Sequence, residues 1–395
     1  MKEGWVYKKL GEVCEIERGG SPRPIKDFIT TAPDGLNWIK IGDTDPQGKF
    51  IYSTKEKIKP TGLKKTRWVE VDDFLLSNSM SFGRPYILKT NGCIHDGWLV
   101  LRKYQQYLNA DFFYYLLLSS RVQKQFQQKA QGSTVSNLNT QRVSGVEIAF
   151  PPLPDQQRIV TYLDAEFAKI EALKANAEKQ LQAAKDLFQA ALKELLTPKE
   201  GWKMKTIDSL QTDMYRGSGI TREQIRLEGV PCVRYGEIYT TYNYWFEECV
   251  SHTDEQIINS KKYFEHGDIL FAITGESVED IGKSIAYLGH NKCLAGGDII
   301  VMKHNQNPKY LAYALSTPDA IAQKGFGKTK LKVVHTNAPS LKAIVLPIPT
   351  LPEQQRIADR LDTLSANVNA LQTNYTETIT LCNDLKQALL KKVFG

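Results

Sequence analysis

The segment Leu153–Leu196 opens LPDQQRIVTYLD and continues as an Ala-, Lys- and Gln-rich tract, and the chain writes this plan twice. Leu351–Val393 opens LPEQQRIADRLD and runs on in the same way, with Pro154 and Pro352 lying 198 residues apart (352 − 154) in a chain of 395. That repeat excludes a single core. It predicts two copies of one unit, each a mixed globular segment followed by a long helix. Hydrophobic residues at 42% and aromatics at 10% allow both globular parts real cores. Lys and Arg exceed Asp and Glu by 51 − 44 = 7, which permits a polyanionic partner without requiring one.

Apolar residues in the first tract fall at Ile159, Leu163, Phe167, Ile170, Leu173, Ala177, Leu181, Ala184, Phe188, Ala191 and Leu195. In the second they fall at Ile357, Leu361, Leu364, Val368, Leu371, Tyr375, Ile379, Cys382, Leu385, Leu389 and Val393. Steps of three and four held for about five heptads predict a coiled-coil seam. Pro154 and Pro352 suit the first helical turn, and Asp155 and Glu353 sit where the helix dipole favours an acid. A rod of about 60 Å cannot pack within its own globule, so the natural partner of each helix is the other, antiparallel, with a globule at each end.

The expected boundaries are 1–152 and 199–350 for the globular segments, and 153–198 and 351–395 for the helices. Anchors recur in order. Gly4-Trp5 matches Gly201-Trp202, and Arg18-Gly19 matches Arg216-Gly217. Ile39–Asp43 matches Val233–Glu237, Asp72–Leu76 matches Gly267–Phe271, and Gly83-Arg84 matches Gly282-Lys283. Short apolar runs punctuated by Gly read as strands, and Ala110–Lys129 and Tyr310–Lys324 each read as one helix. Between the anchors the two copies differ widely.

No catalytic constellation emerges. There is no NPPY- or DPPY-type tetrapeptide, GxSxG, HExxH or EF-hand loop. The six histidines read as isolated surface or loop residues. The six cysteines form no CxxC pair, and scattered single thiols suit a reducing compartment. Ala322–Thr329 reads AQKGFGKT, close to a P-loop, but it follows a helix instead of opening one. The polar start MKEGWVYKKL lacks a secretory signal and no apolar run reaches membrane-spanning length, so a soluble cytoplasmic protein is expected.

The doubled LP[DE]QQRI helix entry, the Gly-Trp start of each half, RGGSPRPI (Arg18–Ile25), the GDIL-type strand and the Gly-Ser-Thr loop resemble type I restriction–modification specificity subunits. The resemblance covers essentially the whole chain. It implies an α+β fold: two pseudo-two-fold-related globular α/β target recognition domains separated by an antiparallel coiled coil of two long helices. It further implies a non-catalytic, DNA-binding subunit whose globules each read one half of a bipartite, asymmetric double-stranded site. The helices would set the spacer and dock two modification (methyltransferase) subunits, with restriction subunits joining the complex. The chain itself would carry no cofactor. S-adenosylmethionine, ATP and magnesium would belong to partner subunits. Expected DNA contacts are Arg18, Ser21, Arg23, Lys40, Ser79, Arg84, Ser133 and Thr134 in the first copy. In the second they are Arg216, Thr221, Arg222, Arg234, Thr274, Glu276, Lys283, Lys328 and Lys330. Copy two departs from the pattern at Gly217–Thr221, GSGIT in place of GGSPRP. The alternatives are a coiled-coil scaffold with protein-binding globules, and a standalone enzyme with an unrecognised site.

Overall fold

The computed structural model describes residues 3–46, 48–78, 83–130, 138–278, 280–327 and 333–395. It divides into two compact units, Met1–Glu178 with Glu377–Gly395, and Lys179–Thr376. Both tracts are continuous helices of 44 residues, Leu153–Leu196 and Leu351–Phe394, so each unit holds part of both. No helix among the described residues is long and apolar enough to cross a membrane.

In the first unit, strands Val6–Lys9 and Glu147–Phe150 pair antiparallel and bracket the globule. One five-stranded sheet runs in the order Glu15–Arg18, Trp98–Arg102, Phe74–Ser77, Pro85–Leu88, Phe50–Ile51. A second runs Ile29–Thr30, Glu56–Ile58, Leu36–Ile39, Gly92–Ile94, Arg67–Val69. The strand Phe74–Ser77 is buried throughout, which is why it reads as an unbroken apolar run. The second unit repeats both sheets in the same spatial order, with Gln211–Arg216, Ile299–His304 and Ile269–Ala272 in one and Val230–Val233 beside Cys293–Ala295 in the other.

The conserved half of the repeat is explained by burial. The Gln156 side chain, fully buried, accepts from Asn109 N at 2.8 Å and donates to the carbonyls of Tyr107 and Pro151, each at 2.8 Å. Gln354, equally buried, accepts from Asn307 N at 2.9 Å and donates to Gln306 Oε1 and the Pro349 carbonyl. Asn109 and Asn307 are themselves the N-caps of the helices Ala110–Leu118 and Pro308–Ala314. The last residue of each motif is also engaged. Asp164 accepts from the Tyr115 hydroxyl, and Asp362 from the Tyr313 hydroxyl at 2.6 Å.

Within the first unit, Val160 and Leu163 share a core with Leu390 and Phe394, and Glu171 pairs with Lys386, so the two helix segments run antiparallel there. Within the second unit Phe188 and Leu192 share a core with Ile357, Leu361 and Val368. The seam differs from the expected one at three places. Leu173, Leu371 and Leu385 are 52%, 39% and 48% exposed. A strict step from Ile170 by four and then three passes through Lys174 to Ala177, and Lys174, Gln372 and Lys386 are the half-buried residues. The Lys386 ammonium lies 5.9 Å from the Phe167 ring centroid, its stem covering apolar surface.

Two expected helices are each broken. Ser119, extended at ψ 144°, separates Ala110–Leu118 from Ser120–Ala130, its hydroxyl donating to the Leu116 carbonyl. In the second unit Thr317 caps a new helix whose first residue is Pro318, which disfavours helical geometry in the residue before it.

Equivalent glutamines, Gln125 and Gln323, each exchange two hydrogen bonds with the backbone of Glu147 or Val345. The next residue is Phe126 in one unit and Lys324 in the other, both buried. Lys324 Nζ donates to Ser284 Oγ at 2.8 Å and the Leu315 carbonyl at 2.7 Å, and burial pushes its pKa down to about 7. An unfolded lysine keeps its proton to near its ordinary value of 10.5. Between those values the unfolded chain holds more protons, so stability rises with pH through that window and is flat below it. Lys324→Met should therefore stabilise the second unit at pH 7. It should also flatten the dependence of unfolding free energy on pH between 7 and 9 by about 1 kcal/mol per unit, read by urea denaturation at several pH values.

Candidate functional site

The Gly-rich turn after the first sheet strand gathers three of the expected contact residues. Arg18 Nε donates to the Asp96 carbonyl at 3.2 Å, Ser21 Oγ donates to Asp96 Oδ1 at 2.7 Å, and Arg23 Nη2 reaches Asp96 Oδ2 at 3.3 Å. The Ser21 hydroxyl, foremost, holds the Asp96 carboxyl below the usual range. Gly19 is required at this turn because a Cβ would come within 2.2 Å of the His95 carbonyl. Lys40 pairs with Glu56 at 2.6 Å, and its backbone N–H donates to Asp43 at 2.8 Å.

The second unit rebuilds the turn. Arg216 donates to the Gly297 carbonyl through Nε and pairs with Asp298 at 2.8 Å. A Cβ on Gly217 would sit 2.2 Å from the Gly296 carbonyl. Arg234 N–H donates to Glu237 at 3.0 Å, as Lys40 does to Asp43, and its guanidinium lies 3.5 Å from the same carboxylate. Thr221 N–H donates to Gln224, while Arg222 and Glu276 are exposed.

Other expected contacts have internal duties away from these turns. Arg84 lies 5.5 Å from the Tyr86 ring centroid and donates to the Gly48 carbonyl at 3.4 Å. Lys283 Nζ donates to the Tyr242 carbonyl at 2.8 Å, and burial lowers its pKa. Thr274, buried, lies 3.1 Å from His335 Nδ1. Ser79, Ser133, Thr134, Lys328 and Lys330 lie outside the described residues. The helix Pro318–Gly325 ends inside the P-loop-like stretch. Among the described residues no group of three or more His, Cys, Asp or Glu could hold a metal ion.

Comparison with known proteins matches this doubled architecture. The type I restriction modification DNA specificity domain profile fits residues 2–183 and again 190–381. The chain belongs to that family. The EcoKI specificity subunit of Escherichia coli K12 is 22% identical over all of this chain and 89% of its own length. The StySPI specificity subunit of Salmonella potsdam is 20% identical with the same coverage. Among solved structures, one from work on complex assembly and conformational transition of the type I R-M system superposes with a TM-score of 0.79 at 19% identity, covering 99% of this chain and 98% of that one. The HsdS subunit of Thermoanaerobacter tengcongensis gives 0.57 at 20% identity, covering 100% and 97%. These two show a shared fold.

For a member of this specificity family, several residues in the turn region were not anticipated from sequence. His95, expected as an isolated loop residue, is half-buried and packs 6.2 Å from the Trp38 ring. His266 and His290, also expected to be isolated, stack at 5.7 Å. Asp96 was legible only as part of a His-Asp-Gly turn between two strands, since its partners lie more than 70 residues upstream. Because both glycines of the paired turns approach a carbonyl from below, Gly217→Ala should destabilise the second unit by about 1–3 kcal/mol in urea denaturation.

Proposed function

We propose that this chain is the DNA-reading specificity subunit of a type I restriction–modification complex, each unit addressing one half of a bipartite site. The observation that carries this reading is an identical scaffold bearing different side chains. Arg18 and Arg216, Gly19 and Gly217, and the acids Asp43 and Glu237 occupy matching hydrogen-bonded positions in the two turns. The side chains those turns present differ, Ser21 and Arg23 against Gly219 and Thr221. Two readers of different half-sites need one fold and two surfaces. Arg and Lys on such turns suit both phosphate and base-edge contacts.

The repeated motif supports a further part of the reading. Its glutamines, Leu163 and Leu361, and its terminal aspartates are spent on the fold. Arg158 and Arg356 are not: their side chains are 81% and 74% exposed, and among the described residues each makes a local ion pair, with Asp155 or Glu353. Such pairs contribute little to stability. A cation that recurs at the same place in both copies without a structural duty suits two equivalent partners. In this reading these are two modification subunits, with restriction subunits completing the complex in the cytoplasm. The chain is then non-catalytic, and S-adenosylmethionine, ATP and magnesium act on the partners.

The test is genome-wide mapping of methylated adenine in the source cell. A bipartite motif should vanish when this gene is deleted, and a motif that persists refutes the assignment. In the purified complex, Arg158→Glu with Arg356→Glu should weaken capture of modification subunits at least tenfold on size-exclusion titration while leaving thermal unfolding unchanged. Removing one heptad from each helix, Ala177–Ala183 with Tyr375–Leu381, should alter the spacer between half-sites and leave the half-site bases alone, read from the same methylation maps.

A further inference from the structure

The first unit holds an open pocket of about 620 Å³ lined by Ser21, Arg23, Trp38, Lys40 and His95, together with Pro22. Strand register and turn hydrogen bonds place Cys232, Arg234 and Gly296 of the second unit at the positions of Trp38, Lys40 and His95. The backbone beneath is the same in both. Gly19 N–H donates to the Trp98 carbonyl at 3.0 Å and Gly217 N–H to the Ile299 carbonyl at 2.8 Å. Gly20 and Ser218 donate to the carbonyls of Ile94 and Ala295. A side chain needed to hold this scaffold would be needed twice. Trp38 and His95 are replaced by Cys232 and Gly296, so the scaffold does not require them.

The pocket's free chemistry is that of donors. Gly97 N–H donates to His95 Nδ1 at 2.6 Å, making Nδ1 the acceptor and leaving the ring proton of a neutral imidazole on Nε2. Burial, the leading cause, lowers the basicity of this ring, which favours the neutral form. Lys40 gives one contact to Glu56, which leaves further N–H donors on its ammonium. Arg23 is 79% exposed and touches Asp96 through one nitrogen. The nearby acid is spoken for, since Asp96 already accepts from Ser21 and Arg23. A phosphate could be held by exposed cations alone and has no use for the apolar walls of Pro24 and Ile25. A planar ligand with two adjacent acceptors uses both the walls and the donors, and the major-groove edge of guanine presents that pair, O6 and N7.

We propose that Arg23, Lys40 and His95 form a guanine-reading site of the first unit, taking the O6/N7 edge of a guanine in the half-site that this unit addresses. The proposal rests on the DNA-specificity reading above. Its test uses the complex of the full chain with its modification subunits and duplex libraries randomised in both half-sites. Wild type should select guanine at one or more positions of one half. His95→Leu and Lys40→Met should each cut guanine preference at one of those positions about tenfold. The other half-site should be unchanged, and His95→Gln, which keeps an N–H donor, should retain part of the preference. Thermal unfolding identifies any variant that has merely lost its fold, and Lys40→Met, on a partly exposed side chain, stands in if His95→Leu does so. An equal loss on every sequence would make this a phosphate contact and overturn the proposal. So would unchanged selection, or a change in both half-sites. A wild-type complex that selects no bipartite sequence would bring down the DNA reading itself, a result distinct from any of these.

Discussion

One buried glutamine holds each long helix to its globule. Gln156 and Gln354 enter the interior with an amide that must satisfy both donor and acceptor, and each does so on partners from the turn before a helix and from the end of the preceding strand. An apolar residue there would leave buried backbone groups unpaired, at a cost of about 1–3 kcal/mol each. The second glutamine of each pair, Gln157 or Gln355, accepts from the side chain of the same capping asparagine. The angle at which the helix leaves the globule is thus set by directional bonds, where apolar packing alone would tolerate sliding. Everything downstream inherits that angle.

Much of this was legible because it is written in periodicity and repetition. The helices, the doubled plan and the strand anchors follow from apolar spacing, and the anchors coincide with backbone needs. Asp72 and Gly267 both adopt positive φ, and Asp73 and Asp268 both accept from the backbone N–H three residues before, closing the turn that precedes them. Where the reading departed from the structure, the competing choice was finer than hydrophobicity can resolve. Leu173 and Lys174 are neighbours, and only the seam's geometry assigns the lysine stem to the interface. The break at Ser119 depends on a hydroxyl bonding to its own backbone, a local alternative that no apolar count registers.

The candidate site was legible as a place and not as a set of roles. Arg18 and Arg216 attract attention because arginine in a Gly-rich turn suits an anion. The structure gives them carbonyl and carboxylate partners in turns some 80 residues away, which the linear sequence does not display. They shape the turn and position its neighbours. The residue left to meet a ligand is a quieter one: His95, which reads as a loop.

Comparison of the two units separates scaffold from surface without any second protein. Where both copies keep a contact, as with the glycines under a carbonyl or the acids capping Lys40 and Arg234, the fold requires it. Where one copy substitutes freely, the fold is indifferent and the residue answers to something else or to nothing. Phe126 and Lys324 show the second outcome. Both fill the same buried space beside a positive-φ glycine, and Lys324 does so with its charge suppressed and its amine bonded to Ser284 and Leu315. No ligand can reach it, so its divergence reflects tolerance within a core. His95 stands where the second unit has Gly296, yet it is half-buried and lines an open pocket with its Nε2 donor unspent. Accessibility, and not the size of the change, is what assigns half-buried His95 to recognition, while Trp38, 2% exposed, stays with the core.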